Sequence, residues 1–317
     1  MLRIRVGRWN PSRFKELGRG GEAAVFRLRN DTAAKVFLLP NAIEFAESTE
    51  LQEAARLRIK EMQIKLFEFP KGLPEELVVP NGVLVNNKDQ VFGYVMPFVD
   101  GTPLDKFGRT SSLLTPSLVS RLLARLHDAV SALHAQGVIV GDFNENNIIV
   151  AKQTPYLIDA DSMQFGSYRC RSFMPRFTAP EILRSEKPKI SRGQSPKSQP
   201  PPSLKMVAPH SELTDWYSFL VIAMRLITFT DPYGGVVKNM DFPERFAKRI
   251  TVFDKRVIYP LIARPIKDVP RPILEVFFRV FHRGERFVPD KDLFGPLLQQ
   301  KNGTSNQRRK NHVKAET

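Results

Sequence analysis

Residues 137–161 read GVIVGDFNENNIIVAKQTPYLIDAD. The carboxylate of Asp142 is followed five residues later by the amide of Asn147, and the apolar run Ile148, Ile149, Val150 comes at once. A second short apolar run, Tyr156, Leu157, Ile158, ends on Asp159. Short apolar runs bounded by polar and turn residues predict strands. The stretch therefore reads as a loop, a strand, a turn and a second strand with an acid at its tip. One acid can hold a hydroxyl, while the amide and the other acid offer hard oxygens to magnesium. That is the minimum set for moving a phosphoryl group from a nucleotide.

Working outward, residues 17–28 read LGRGGEAAVFRL, which predicts a strand, a tight glycine turn at Gly18, Gly20 and Gly21, and a returning strand through Val25. Glycine lets backbone approach a ligand closely, although a plain surface hairpin would read similarly. Lys35 follows inside the apolar strand AAKVF. A lysine there needs a partner, because an unpaired buried ammonium is costly; a strand-edge lysine in solvent is the plainer alternative. A helix is expected within 42–65, with Leu51, Ala54, Ala55, Leu57 and Met62 at helical spacing. Residues 91–104, VFGYVMPFVDGTPL, predict a strand running into Met96, Pro97, Phe98 and Val99 and then a turn. Residues 117–135 form an amphipathic helix with Leu122, Leu126, Ala129 and Leu133 on one face. Downstream stand Ala179-Pro180-Glu181, the sequence DWYS at 215–218 opening a nearly all-apolar helix, and HRGERFVPD with Arg286.

In this order and spacing the segments resemble the eukaryotic-like protein kinase superfamily. The resemblance implies an α+β, two-lobed protein-kinase-like fold: a small antiparallel β lobe with one helix, then a large, mainly helical lobe. ATP and Mg2+ would lie between them, and the substrate would be a protein with a serine or threonine acceptor. Gly18, Gly20 and Gly21 would cover the phosphates, with Val25 closing a G-x-G-x-x-G-x-V pattern whose third glycine is Ala23. Lys35 would hold the phosphates and pair with a helix glutamate. Of Glu47, Glu50 and Glu53, Glu53 stands at about the usual distance, with Leu57 packing inward one turn later. Met96, Pro97 and Val99 would form the hinge against the adenine edge, Pro97 offering only a carbonyl and Val99 its N–H. Asp142 would be the catalytic acid-base group, and Asn147 and Asp159 would bind Mg2+. Asp215 would tie down the catalytic-loop backbone, and Arg286 would pair with Glu181.

The chain departs from that pattern in three places. The usual His-Arg-Asp is Val140-Gly141-Asp142, which removes the arginine that would clamp a phosphorylated segment. The lysine expected two residues after the catalytic acid is Asn144. Asp-Phe-Gly is Asp159-Ala160-Asp161, where Asp161 either joins the metal shell or caps the turn. These changes resemble a prokaryotic and viral group of stand-alone kinase-like proteins with G-D-x-N-x-x-N and D-x-D-S motifs. The alternative they raise is a pseudokinase, a nucleotide-binding scaffold that acts by binding a partner.

The 317 residues suit one such domain: a basic N-terminal extension at 1–11, a small lobe and hinge at 12–102, a large lobe at 103–298 and a basic, disordered tail at 299–317. Residues 184–210, rich in Pro, Ser and Lys, read as a flexible insertion in the large lobe. With 48 basic against 33 acidic residues, the formal charge is +15. The basic insertion and tail suit an acidic partner or nucleic acid, though solubility and attraction for ATP are the plainer reading. His127 and His134 lack neighbours at metal-ligand spacing. The single cysteine, Cys170, excludes an internal disulfide and suits a reducing, cytoplasmic setting as a passive thiol. No apolar run reaches the length of a membrane span.

Overall fold

The computed structural model describes residues 1–29, 31–109, 114–186 and 203–299. It has an antiparallel-rich sheet lobe followed by a mainly helical lobe, an α+β arrangement consistent with the two-lobed kinase-like fold. The first lobe is a six-stranded sheet. Its strands are β1 (Leu2–Arg5), β2 (Lys15–Arg19), β3 (Ala23–Arg27), β4 (Thr32–Phe37), β5 (Gly82–Val85) and β6 (Val91–Pro97), in spatial order β1-β5-β6-β4-β3-β2. All neighbours pair antiparallel except β1, which lies parallel to β5.

The N-terminal residues are thus an edge strand of the sheet and not an appendage, which corrects the expected 1–11 extension. Leu2, Ile4 and Val6 alternate with Arg3 and Arg5, and that period of two is a strand pattern. Ile4, Val6 and Trp9 pack against Ala34, Leu84 and Val95, and Trp9 stacks on Phe14 with ring centroids 5.0 Å apart.

Helix α1 (Thr49–Lys65) starts at Ser48, whose hydroxyl accepts the Leu51 N–H, the preferred chemistry for an N-cap. It packs on the sheet through Ile59 and Met62, Ala55 meets Leu38 and Phe45 and Lys65 is buried, while Leu51 and Leu57 are half exposed. Leu57 therefore does not pack inward as expected. The helix carries charged or polar side chains around most of its girth, so its apolar periodicity is too weak to set its rotation.

The second lobe follows β7 (Thr102–Pro103) and α2 (Leu104–Arg109). Helix α3 (Pro116–Ala135) buries Leu122, Leu126, Ala129 and Leu133, as their spacing predicts. Strands β8 (Ile148–Ala151) and β9 (Thr154–Leu157) pair antiparallel beneath the first lobe. Strands β10 (Leu183–Glu186) and β11 (Ser203–Met206) also pair antiparallel, so both flanks of the expected flexible insertion are structured. Residues 187–202 of that insertion and 300–317 of the basic tail lie outside the described residues. Helix α4 (Glu212–Thr228) is buried along almost its whole length against α3, α5 (Phe242–Ala247) lies beyond it, and α6 (Arg271–Phe277) closes the core through Ile273 and Phe277. Among the described residues, no helix is long and apolar enough to cross a membrane.

Candidate active site

The loop between α3 and β8 is held from below by α4. Asp215, fully buried, accepts the backbone N–H groups of Val140 at 2.7 Å and Gly141 at 2.9 Å. His134 adds a contact to the same carboxylate at 3.0 Å, and His127 meets the Pro289 carbonyl, so both histidines are structural. One helical span later, Arg225 grips Glu145 of the loop through two contacts at 2.8 and 2.6 Å. A planar guanidinium fork suits such two-point recognition. The backbone around Asp142 is therefore fixed by charge-assisted bonds at both ends of one buried helix.

Gly141 sits in the left-handed region at φ 76°, and a Cβ there would lie 2.6 Å from Cys170 Sγ. Only glycine satisfies both conditions. Cys170 is buried, and burial pushes its thiol pKa up to about 12, which makes it an inert thiol as expected.

Asp142 follows, half-buried. Asn144 is 2% exposed, and its Nδ2 donates to Asp142 Oδ1 at 2.9 Å. Its Oδ1 accepts the Asn146 N–H and caps the short 3-10 turn Glu145–Asn147. Where the kinase pattern has a lysine, Asn144 orients Asp142. Burial raises the Asp142 pKa, and the Asn144 bond opposes that rise.

Asn147 donates its amide N–H to the Asp142 carbonyl at 2.9 Å, and its own carbonyl accepts the Ile158 N–H at 2.9 Å. That link, extended by the Ile148–Leu157 pairing, sets Asn147 beside Asp159. Asp159 adopts a left-handed backbone (φ 72°, ψ 36°), which a non-glycine residue holds only under constraint. Its carbonyl accepts from the Ser162 N–H and hydroxyl, and its side chain is about a quarter exposed. An amide oxygen and a carboxylate are hard donors that fit Mg2+, which takes its remaining ligands from water and phosphate. Among the described residues no group of three or more His, Cys, Asp or Glu side chains is placed to hold a metal ion.

Lys35 on β4 is nearly buried and forms ion pairs with Asp159 and with Asp161, the latter at 2.7 Å. Burial disfavours its charge, but the two carboxylates more than offset this and raise its pKa. Glu53 is not its partner: it is 57% exposed and pairs with Arg56. Helix α1 is rotated so that two cations, Arg58 and Lys65, face inward. Arg58 pairs with Glu22 of the glycine turn at 3.0 Å, and Lys65 donates to the Asp161 carbonyl at 2.6 Å. Asp161 neither caps the turn nor lines the open side of the site. It is 5% exposed and also accepts the Tyr94 hydroxyl at 2.6 Å. Tyr94, Lys65 and Arg58 escaped the sequence reading. The available signal was a lysine at an inward helical position next to Met62 and Leu66.

The remaining predicted residues lie on the β2–β3 hairpin, on β3 and at the end of β6. Gly18, Gly20 and Gly21 form the exposed end of the β2–β3 hairpin, and Cβ atoms at Gly18 and Gly21 would meet nothing within 4 Å. Packing therefore does not demand glycine at those two positions. Val25 pairs with Lys35 across β3 and β4 and shares an apolar cluster with Met96, Val99, Tyr156 and Ile158, which joins the two lobes. Pro97 ends β6, and the Phe98 N–H is already taken by the Asp31 carbonyl at 2.7 Å. On the far side, Glu181 and Arg286 meet through two contacts at 2.6 and 2.7 Å, as expected.

No protein-family model matches the chain. It is 25% identical over 242 residues to the serine/threonine-protein kinase PkaA of Streptomyces coelicolor, covering 69% of this chain and 39% of that protein. It is 25% identical over 276 residues to the serine/threonine-protein kinase PknD of Protochlamydia amoebophila, covering 81% and 26%. A third similarity, 25% over 184 residues, is to the serine/threonine-protein kinase OXI1 of Arabidopsis thaliana, covering 56% and 42%. The chain thus spans only about a quarter to two-fifths of the length of the curated relatives it matches. Taken with the two-lobed α+β fold, these distant similarities support a place for the chain in the protein-kinase-like superfamily.

Proposed function

We propose that the chain is an ATP- and Mg2+-dependent phosphotransferase acting on serine or threonine hydroxyls of a protein. The observation that carries this reading is the run of contacts that links the four residues: Asn147 holds the Asp142 carbonyl, its backbone carbonyl accepts the N–H of Ile158 next to Asp159, and Asp159 pairs with Lys35. Asp142 receives the hydroxyl proton, with its carboxylate aimed by Asn144. A raised pKa brings this carboxylate nearer to a useful base. Lys35 supplies positive charge to the nucleotide phosphates, and the Gly18–Gly21 turn offers backbone N–H groups above them. Met96, Pro97 and Val99 border the adenine, with Val25, Tyr156 and Ile158 supplying apolar surface. Asn147 and Asp159 hold Mg2+, which when bound neutralises charge on the transferred group. The chain's contribution is positioning and electrostatics rather than covalent chemistry.

The similarity to serine/threonine kinases supports the acceptor class, and the single inert thiol suits a reducing cytoplasm. The test is transfer of labelled γ-phosphate from ATP with Mg2+, to the chain itself and to generic basic and acidic proteins, beside Asp142→Asn. Label on serine or threonine that disappears in the variant is the expected result. No label from a wild type that binds ATP would refute the reading in favour of a nucleotide-binding scaffold.

A further inference from the structure

We propose that Asp161, and not an acid on α1, is the carboxylate that positions Lys35 for the nucleotide phosphates. This rests on the nucleotide-binding reading above. Three observations lead to it. First, the residues of α1 that are buried or half-buried are Gln52, Ala55, Arg58, Ile59, Glu61, Met62, Gln63 and Lys65, and Glu61 is the single acid among them. Glu53 lies on the solvent side with Arg56, and Glu61 is engaged by Arg171 at 3.2 Å. The cationic side of the helix is also committed, since Arg58 holds Glu22 and Lys65 holds the Asp161 carbonyl.

Second, Asp161 is fixed from three directions. Its Oδ1 accepts from Lys35 Nζ at 2.7 Å and from the Tyr94 hydroxyl at 2.6 Å, while Lys65 Nζ grips its backbone oxygen at 2.6 Å. Lys35 and Tyr94 stand opposite each other on β4 and β6, so both donors to Oδ1 come from one rigid ladder. Lys65 is 1% exposed and sits over the rings of Phe165 and Tyr168, which leaves it little freedom to release the turn.

Third, the two carboxylates on Lys35 differ in access. The Asp159 side chain is 27% exposed, whereas that of Asp161 is 7% exposed. Asp159 is therefore the acid available to a cation, and Asp161 is the one that stays with the lysine. A buried ammonium whose only partner could be drawn to a metal would be left uncompensated. With Asp161 in place the lysine keeps a counter-charge and a direction. Asp161 is thus a positioning residue, and Lys35 is placed by the sheet and the Asp159–Asp161 turn. Helix α1 reaches this arrangement through Lys65 and the Asp161 backbone oxygen, not through an acid of its own.

The test is isothermal titration calorimetry of the full chain with ATP and, separately, with adenosine, which has no phosphates. Asp161→Asn is nearly isosteric and removes one negative charge close to where phosphates bind. On charge alone it would strengthen ATP binding. Loss of positioning predicts the opposite sign: ATP weakens by at least about tenfold, the scale of one charge-assisted hydrogen bond, while adenosine is unchanged. Tyr94→Phe, which removes the second donor to Asp161, shifts ATP in the same sense by a smaller factor. Glu53→Gln leaves both ligands at wild-type affinity. The proposal is overturned if Asp161→Asn binds ATP as well as or better than wild type, if it loses ATP and adenosine equally, or if Glu53→Gln reproduces its loss. A wild type that binds no ATP overturns the nucleotide reading and this assignment together, so the two failures are told apart before any variant is made.

Discussion

Replacing Gly141 by alanine tests whether the backbone before Asp142 is held in the left-handed form described above. Two costs add. A non-glycine residue at φ 76° pays about 1–2 kcal/mol for the left-handed region. The new methyl would lie 2.6 Å from Cys170 Sγ and 2.7 Å from Cys170 Cβ, where the second atom cannot rotate away. Forced overpacking of this kind costs about 1–3 kcal/mol, giving roughly 2–5 kcal/mol for Gly141→Ala. Against a total stability of about 5–15 kcal/mol, the chain still folds. Urea unfolding followed by the fluorescence of buried Trp216, in a Trp9→Phe background, measures the loss in the lobe that holds the loop. A double-mutant cycle with Cys170→Gly separates the two terms. With the cysteine side chain gone, Gly141→Ala should cost only the torsional part, about 1–2 kcal/mol. An equal cost in both backgrounds would refute the steric argument, and a cost below about 0.5 kcal/mol in the first would refute the whole assignment.

Two further outcomes follow from the same geometry. The Asp142 pKa is raised by burial, and only its ionised form can take the hydroxyl proton, so kcat/KM should fall as pH drops through that raised value; Asn144→Ala removes a bond that favours the carboxylate, so the acid limb should move to higher pH, and a limb that stays or moves down would contradict the orienting role. Arg286→Lys keeps the charge but loses the two-point grip on Glu181, and should lower stability by about 1–3 kcal/mol, comparable to Glu181→Gln and not additive with it; additive losses in a denaturation series would show that the two residues act separately.

Much of the site was legible in the chain because its signals are local. Asp142, Asn147 and Asp159 lie on one loop and two short strands joined by a tight turn, and apolar runs and turn residues mark those elements directly. The buried helix that carries Asp215 and Arg225 announced itself by an almost unbroken apolar run, and Leu122, Leu126, Ala129 and Leu133 by their spacing on α3. The N-terminal strand was also written in plain alternation, Leu2, Ile4 and Val6 against Arg3 and Arg5, but the arginines drew the reading towards charge. What tertiary structure alone decided was the rotation of α1 and, with it, the partner of Lys35. Charged side chains surround α1, so period alone could not say that Arg58 and Lys65 face inward while Glu53 and Leu57 face out. Lys35 and Asp161 are separated by 126 positions, and no local propensity records which of several acids a distant lysine will meet. That choice is made when β4, β6 and the turn after β9 close over a space too dry to leave an ammonium unpaired.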